Sequence, residues 1–246
     1  MYYNRLAIFT WVLFLSLSSC FAFELTPLSI TIEPQGRNAS AYIQVKNLHN
    51  YSKAIQVNMY TREPDLYDEE ANEEAEDDFL VYPPQFILPP QSTKLVKISW
   101  IGENDFKKER TFRFIADELD VELNPEAEKK SGIKILMRYE GALYVSPIRA
   151  KDGDIVLEKV KMDKDAEGKE RLSLLLYNQG EIHKLVKDLE LFLVDEKGES
   201  QSLEVDPKEF KKIEGSNILA GKRRAFFIDL PENFKENKFQ IKAKMS

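Results

Sequence analysis

The stretch FLVYPPQFILPPQSTKLVKISW, residues 79–100, decides how this chain folds. A short apolar strand ends at Pro83-Pro84, a second ends at Pro89-Pro90, and an alternating strand follows at residues 94–100. Proline has no backbone N–H and cannot donate to a β-ladder, so each Pro-Pro pair forces the chain off one sheet and onto another. The stretch therefore predicts a β-sandwich.

Strand patterns of this kind continue along both halves of the chain, and helical periodicity is weak throughout. The predicted strands are 28–33, 41–46, 55–60, 94–99, 111–116 and 132–145, then 154–162, 172–177, 189–194, 224–228 and 239–243. Short strands at this spacing are typical of immunoglobulin-like sandwiches of about 100 residues. We therefore predict an all-β protein with a signal peptide (1–22), an N-terminal domain (23–147) and a C-terminal domain (148–246).

The first 22 residues have the pattern of a secretory signal peptide. A short positive start precedes an apolar run at residues 6–17 and a small-residue exit at residues 18–22. The apolar run is too short for a comfortable membrane span, although an uncleaved anchor is the alternative. Elsewhere the sequence has no stretch apolar enough to cross a bilayer.

The exit of this segment has two interpretations. A small-x-small pattern at residues 20–22 predicts cleavage between Ala22 and Phe23. The preceding residues also match a bacterial lipobox, in which Cys20 would be lipidated and kept. We expect an exported protein cleaved before Phe23, with a lipid anchor at Cys20 as the alternative. Cys20 is the only cysteine, so the mature chain has no internal disulfide and no cysteine-type zinc site.

The net charge of −7 comes from one acidic segment, Glu63 to Asp78, which contains ten carboxylates and no basic residue. Outside this segment and the predicted signal peptide, 34 basic residues face 32 acidic ones. The acidity is local and does not indicate a basic partner for the whole protein. The segment lacks the glycine and ligand spacing of a calcium loop, so we expect a repulsive, solvated and mobile loop.

Several short motifs follow one another along the chain. They are Pro34-x-Gly36 with the strand after it, the segment 79–100, KERTFR at 108–113, LYVSP at 143–147 and, more loosely, YNQGEIH at 177–183. In this order they resemble the PapD-like periplasmic chaperones, which assemble pili and related surface fibres. The resemblance implies two immunoglobulin-like domains set at an angle like a boomerang. It also implies donor-strand complementation, in which the chaperone lends a strand to a fibre subunit that lacks one.

By this resemblance the lending strand is Gly132 to Val145. Nearly all of its odd-numbered side chains are large and apolar or aromatic. Aligned on the proline that follows the strand, Ile133, Ile135 and Met137 fall where the family places the residues that enter the subunit. Without the resemblance, the same alternation is typical of a strand that lines its own sandwich.

Two basic residues with which the family anchors the terminal carboxylate of a subunit are missing here. The matching positions hold Ile30 and Ala142, and neither side chain can bind a carboxylate. Lys134 and Arg138, on the lending strand, are candidates to replace them. The alternative is that these two charges only form a solvated strand face.

The resemblance also implies an ion pair at the interface of the two domains, with a partner in the second domain that the sequence does not locate. Glu118 stands where the family has an acidic residue, and Lys97 stands where it usually has arginine. Lysine lacks the planar two-pronged geometry of arginine, and an ordinary surface pair is the alternative for Lys97.

The sequence contains no arrangement that supports catalysis, a metal or a cofactor. His49 and His183 lie far apart in predicted turns, and we expect His183 to make a hydrogen bond at a strand end. There is no serine in a G-x-S-x-G setting and no glycine loop that could hold a phosphate.

We therefore expect a non-enzymatic periplasmic assembly chaperone. Its expected partners are pilin-like fibre subunits, with an outer-membrane usher as a further candidate, and we expect no nucleic-acid partner and no membrane span in the mature chain. The alternative function is a lipid-anchored, two-domain structural or adhesive surface protein, for which lipidation of Cys20 is the distinguishing feature.

Overall fold

The computed structural model describes residues 23–121, 123, 135–194, 197–202, 206–230 and 240–244. The strands of the first domain are β1 (Phe23–Thr26), β2 (Ser29–Ile32), β3 (Ser40–Asn47), β4 (Lys53–Thr61), β5 (Glu63–Pro64), β6 (Glu70–Ala71), β7 (Phe79–Tyr82), β8 (Gln85–Leu88), β9 (Thr93–Trp100), β10 (Arg110–Glu118) and β11 (Arg138–Val145). Those of the second are β12 (Ile155–Lys164), β13 (Glu170–Asn178), β14 (Lys184–Leu185), β15 (Glu190–Val194), β16 (Ser200–Ser202), β17 (Asn217–Ile218), β18 (Arg223–Asp229) and β19 (Gln240–Lys244), with helix α1 (Pro207–Lys211) before β17.

The first domain is a sandwich of two sheets, with strand orders β1-β3-β9-β7 and β2-β11-β10-β4-β8. The chain changes sheets at Pro83-Pro84, because β7 pairs with β9 whereas β8 pairs with β4. It returns to the first sheet in β9 after Pro89-Pro90. The sheet changes predicted from these two proline pairs are confirmed. Between the sheets lies one apolar core, which includes Ile43, Val45, Ile55, Val57, Val96, Ile98, Phe114 and Leu143.

The second domain is also built from β-sheets around its own core. Its sheets have the orders β12-β13-β18 and β16-β15-β19, with a small β14-β17 ladder beside them. Alternate residues of β13 point inward and are fully buried, as expected for a strand with one face on a core. The core includes Leu172, Leu174, Leu176, Val186, Leu191, Ile213 and Ile228. The predicted all-β, two-domain fold class is confirmed.

A buried asparagine closes the end of one strand in each domain. Asn178, the last residue of β13, donates from Nδ2 to the carbonyls of Ile182 and Ile218, both at 2.8 Å, and its Oδ1 accepts from Gly180 N. Asn47, the last residue of β3, uses its amide in the same way. Each amide satisfies backbone groups that no ladder partner reaches, so it fixes where the strand ends.

Replacing Asn178 with alanine is expected to destabilise the second domain by about 2–4 kcal/mol, because two carbonyls and one N–H lose their partner inside the protein. Urea unfolding followed by circular dichroism measures this loss. Exposed Asn50 supplies a matched control, and its alanine variant should lie within about 0.5 kcal/mol of wild type. Equal stability of both variants would contradict a structural role for the Asn178 amide.

Three elements differ from the sequence-based prediction. The acidic segment forms the β5–β6 hairpin and a short 3₁₀ turn at Glu76–Asp78, and it packs against other parts of the protein. The predicted strand 132–145 is a strand only over Arg138–Val145 within the described residues. Helix α1 was not predicted. It begins where Pro207 stands at the first helical turn and Asp206 accepts from Lys208 N.

Candidate functional site

Strand β11 is paired along the whole of one edge but along only part of the other. One side of it pairs along its whole length with β10, from Arg138 opposite Asp117 to Val145 opposite Arg110. On the other side the parallel strand β2 covers only Ala142–Val145. Among the described residues, no strand pairs with the β2 side of β11 before Ala142.

The backbone groups on this open half-edge can be assigned from the ladder. Ala142 N donates to Leu28 O at 2.8 Å on the β2 side, whereas Met137 O accepts from Glu118 N on the β10 side. Residues of a strand alternate between its two edges, so Arg138 and Glu140 direct their backbone N–H and C=O away from β10. These groups form a ready template for another strand.

Apolar side chains stand just before this open edge. Ile135 is 73% exposed and Leu136 is 42% exposed, while Met137 and Tyr139 pack partly against the core of the first domain. Tyr139 meets Phe23 edge to face, with ring centroids 4.6 Å apart. The odd-numbered face thus passes from the home core at Tyr139 to solvent at Ile135. Ile133 lies outside the described residues.

Of the two basic residues on this strand that were candidates to bind the subunit carboxylate, the structure describes only Arg138. Arg138 binds Asp117 with two hydrogen bonds, Nε to Oδ1 at 2.6 Å and Nη2 to Oδ2 at 3.0 Å. The Asp117 carboxylate therefore already accepts two parallel hydrogen bonds from the Arg138 guanidinium. Lys134 lies outside the described residues.

Ile30 and Ala142, which stand where the family has basic residues, lie on opposite faces of the sheet. Ile30 is buried in the core of the first domain. Ala142 lies on the opposite face of the sheet, where it clusters with Tyr144 and with Leu219 of the second domain. Its cross-strand neighbour on β10 is Arg113, so a cation does stand beside this position, on the adjacent strand.

Arg113 belongs to a network of charges at the interface of the two domains. Glu70 of the acidic segment accepts from Arg113 Nε at 2.9 Å and Nη2 at 2.5 Å, and from Arg62 Nε at 2.7 Å. Arg62 also donates to the Tyr144 hydroxyl, which in addition accepts from Asn217 of the second domain at 2.7 Å. The segment expected to be a solvated loop is fixed here because arginines neutralise it.

The protonation of Glu70 reflects this environment. Burial by itself raises the pKa of the Glu70 carboxyl, but hydrogen bonds from Arg113 and Arg62 and their positive charges outweigh it, so that the pKa lies below its ordinary value. The same carboxylate raises the pKa of Arg113. Burial raises the pKa of Tyr144, which keeps its hydroxyl neutral.

Replacing Glu70 with glutamine is expected to destabilise the protein at pH 7 by about 1–3 kcal/mol, because a charge-assisted bridge between two arginines is lost. The folded-state pKa of Glu70 is depressed, so its contribution is complete above its unfolded pKa of about 4.3 and disappears as the pH falls through the folded-state value. Urea unfolding of both proteins from neutral to acidic pH measures the difference. A wild-type advantage that stays constant on acidification would contradict this role.

A second polar contact joins the domains at the start of β10. The Glu109 carboxylate is 1% exposed and accepts from His183 N at 2.9 Å, while His183 Nδ1 lies 2.6 Å from the same oxygen. Ser146 Oγ bonds the other oxygen, and the His183 ring stacks on Tyr144 with centroids 3.7 Å apart. The expected hydrogen-bonding role of His183 is confirmed.

The part of Lys97 and Glu118 in an ion pair between the domains stays a prediction. Within the described residues, Glu118 binds Lys53 of the same domain, Nζ to Oε1 at 2.5 Å, and both side chains are largely buried. Lys97 is exposed on β9, in register with Tyr42 and Tyr82. Lys97 and Glu118 face different surroundings because β9 and β10 belong to opposite sheets of the sandwich.

Neither a metal centre nor a membrane-spanning helix occurs in the part of the chain that the structure describes. No group of three or more His, Cys, Asp or Glu side chains is arranged there to hold a metal ion. Likewise, no described helix has the length and apolar character needed to cross a bilayer.

Comparison with known families decides what kind of protein this is. The family model for the pili and flagellar-assembly chaperone, PapD N-terminal domain, matches residues 24–151. The chain belongs to this family. The match contains the open half-edge of β11, Arg62, Glu70 and Arg113. No curated protein sequence matches the chain.

Solved structures of PapD-like chaperones share the fold over both domains. A chain of the CsuC–CsuE chaperone–tip subunit complex from the archaic Csu pili of Acinetobacter baumannii has 16% identity and a TM-score of 0.57, covering 92% of this chain and 94% of its own. A chain of the chaperone–tip adhesin complex of CFA/I fimbriae has 15% identity and a TM-score of 0.53, covering 91% and 99%. The class 5 fimbriae chaperone CfaA has 14% identity and a TM-score of 0.54, covering 90% and 98%. At such identities the likeness shows the fold alone.

Proposed function

We propose that this chain is a periplasmic chaperone that binds fibre subunits by pairing the open half-edge of β11 with a strand of the subunit. The main support is that β2 pairs only with Ala142–Val145. Among the described residues, no strand therefore pairs with the backbone of Arg138 and Glu140 on this edge. Membership of a family of pilus-assembly chaperones supports this use of the edge.

The chemistry of this edge suits strand addition. Backbone pairing at Arg138 and Glu140 would add hydrogen bonds that each contribute about 1 kcal/mol net, independently of the subunit's side chains. Specificity would come from the apolar residues Ile133, Ile135 and Met137, of which Ile135 is 73% exposed and Met137 packs partly against the home core. Burial of one exposed isoleucine in an apolar groove contributes about 2–3 kcal/mol.

Anchoring of the subunit carboxylate by Lys134 or Arg138 stays a proposal. The bidentate pairing of Arg138 with Asp117 means that Arg138 would have to exchange one carboxylate for another. Arg113, beside Ala142, is likewise held by Glu70. We therefore propose that backbone pairing and apolar side chains supply most of the affinity.

The proposed partners are pilin-like fibre subunits, and an outer-membrane usher is the proposed acceptor of the complex. Two of the similar structures are complexes of a chaperone with a tip subunit or tip adhesin. We propose that the chain is not an enzyme and needs no cofactor, since its function would rest on strand pairing alone.

Co-purification tests the proposal. The tagged mature protein is isolated from cells that express the neighbouring genes, and bound proteins are identified by mass spectrometry. We expect a subunit with an incomplete immunoglobulin-like sandwich. Repeated recovery of the chaperone with no such subunit would contradict the proposed function.

Export with cleavage before Phe23 is part of the proposal. Phe23 is 1% exposed, pairs with Asn47 through β1 and packs on Tyr139. A chain that starts at Phe23 therefore keeps this buried residue and its contacts, and Cys20 and Ala22 lie outside the described residues. We expect mass spectrometry of the mature amino terminus to find Phe23 unmodified. An acylated Cys20 would support a lipid-anchored surface protein instead.

A further inference from the structure

The acidic segment Glu63 to Asp78 contacts the second domain through three consecutive residues. Leu66 O accepts a hydrogen bond from Ala225 N at 2.7 Å. The Tyr67 ring stacks on Phe227, with centroids 6.0 Å apart and an angle of 11° between the planes. Asp68 pairs with Arg224, Nη2 to Oδ2 at 2.8 Å.

These contacts all fall on β18, a strand at the end of its sheet. β18 pairs with β13 on one side, and no described strand pairs with its other side. An open strand edge is a site for unwanted pairing, and a covering loop is one of the devices that protect it. Leu66 covers this edge with a single backbone hydrogen bond, and Tyr67 shields the neighbouring face.

The other end of the segment is fixed in the first domain. Glu70 joins Arg62 and Arg113, and the Arg62 guanidinium also lies 3.9 Å from Asp68. A further exposed pair, Glu63 with Lys222, joins the domains at 2.8 Å. Three of the ten acids, Glu63, Asp68 and Glu70, are therefore paired with basic groups, and together these pairs reach both domains.

We propose that residues 63–78 form an interdomain brace that fixes the angle between the two domains. The chain connection, the Glu109–His183 contact and the contacts of Tyr144 with Asn217 and Leu219 lie together near the end of β11 and give one region of attachment, about which the second domain could turn. The brace supplies a second attachment on β18, and two separate attachments remove that freedom. This inference concerns the free protein and holds whether or not a subunit binds to β11.

Distance measurements between spin labels test the brace. Labels are placed at exposed Lys46 on β3 and exposed Lys161 on β12, each changed to cysteine, in a Cys20→Ser background. Double electron–electron resonance then gives the distribution of distances between the domains. We expect a narrow distribution for the unaltered brace and a distribution at least twice as wide for Tyr67→Ala/Asp68→Asn.

The control removes the same chemistry from places with no hydrogen bond, ion pair or ring contact to the described part of the second domain. Tyr42→Ala/Asp77→Asn deletes one exposed tyrosine ring and one acid, and it should keep the narrow distribution. Arg224→Gln breaks the brace from the second domain and should widen the distribution even if the first variant folds poorly. Circular dichroism confirms folding of each protein. Narrow distributions in folded Tyr67→Ala/Asp68→Asn and Arg224→Gln proteins would overturn the proposal.

Discussion

Replacing Ile135 with aspartate is expected to reduce the affinity for the fibre subunit by about 100-fold or more while leaving the chaperone folded. Ile135 is 73% exposed, so its substitution should change the free energy of unfolding by less than about 0.5 kcal/mol. In the complex, about 2–3 kcal/mol of apolar burial would be lost, and a carboxylate would have to leave water. Titration calorimetry with the co-purified subunit measures the affinity.

Ile87 provides the matched control for this substitution. It is 60% exposed and lies on β8, at the opposite end of the sheet that contains β11. Ile87→Asp introduces the same charge on the same domain and should bind the subunit within about threefold of wild type, a difference below 1 kcal/mol. Similar loss of binding in both variants, or in neither, would contradict insertion of Ile135.

Replacing Gly141 with valine is expected to destabilise the first domain by about 3 kcal/mol. Gly141 lies on the core side of β11 directly opposite Phe114 of β10, and a Cβ atom at this position would overlap the Phe114 ring. Phe114 is completely buried, so the ring cannot move aside without disturbing the core. Urea unfolding measures the loss.

A double substitution separates this steric cause from a general preference against glycine replacement. Phe114→Leu shortens the side chain beneath the strand and should partly restore space. The Gly141→Val/Phe114→Leu protein is expected to be more stable than the sum of the two single effects predicts, with a coupling of about 1–3 kcal/mol. Simple additivity would show that the two side chains do not compete for the same space.

The two halves of β11 have different relations to the rest of the molecule. From Ala142 onward the strand is held by β2, β10 and the second domain, and Gly141 lets it lie close over Phe114. Before Gly141, one edge is free and the side chains emerge from the core. A strand fixed at one end and open at the other can present its edge in a defined direction, which lowers the cost of ordering on binding.

The sheet changes and most strands could be predicted because they follow local rules. Proline's missing donor and the alternation of apolar residues fix where β7, β8 and β9 begin and which face they bury. The same rule applied to residues 132–145 gave the face of β11 correctly. It could not show that β2 covers only part of the edge, since this depends on how far a distant strand extends.

The charge network could not be predicted from local patterns. Glu70 and Arg113 are 43 residues apart, and Arg62 and the Tyr144 hydroxyl are 82 apart. Sequence alone presents ten clustered acids, whose mutual repulsion suggests a free loop. The sequence does contain one indication of this network. Arg113 lies between Phe112 and Phe114 on a predicted strand, and the two phenylalanines face the core. Alternation along the strand then places Arg113 on the outer face of the sheet, but it does not identify the residue with which Arg113 pairs.

Glu118 illustrates the limit of transferring a residue's role from a family position by position. The resemblance assigns it to an ion pair between the domains, and its carboxylate is bound by Lys53 on the neighbouring strand β4. A nearer cation of the same sheet takes the carboxylate.

The most direct test of the account is amide hydrogen exchange at Arg138 and Glu140, measured by NMR on the free chaperone and on its complex with the co-purified subunit. Both N–H groups face the open edge and should exchange rapidly in the free protein, whereas Ala142 N, bonded to Leu28 O, should already be protected. We predict that binding slows exchange at Arg138 and Glu140 by at least about tenfold, as expected for new ladder hydrogen bonds. Unchanged exchange at both amides in a saturated complex would show that the subunit is not held by strand addition to β11.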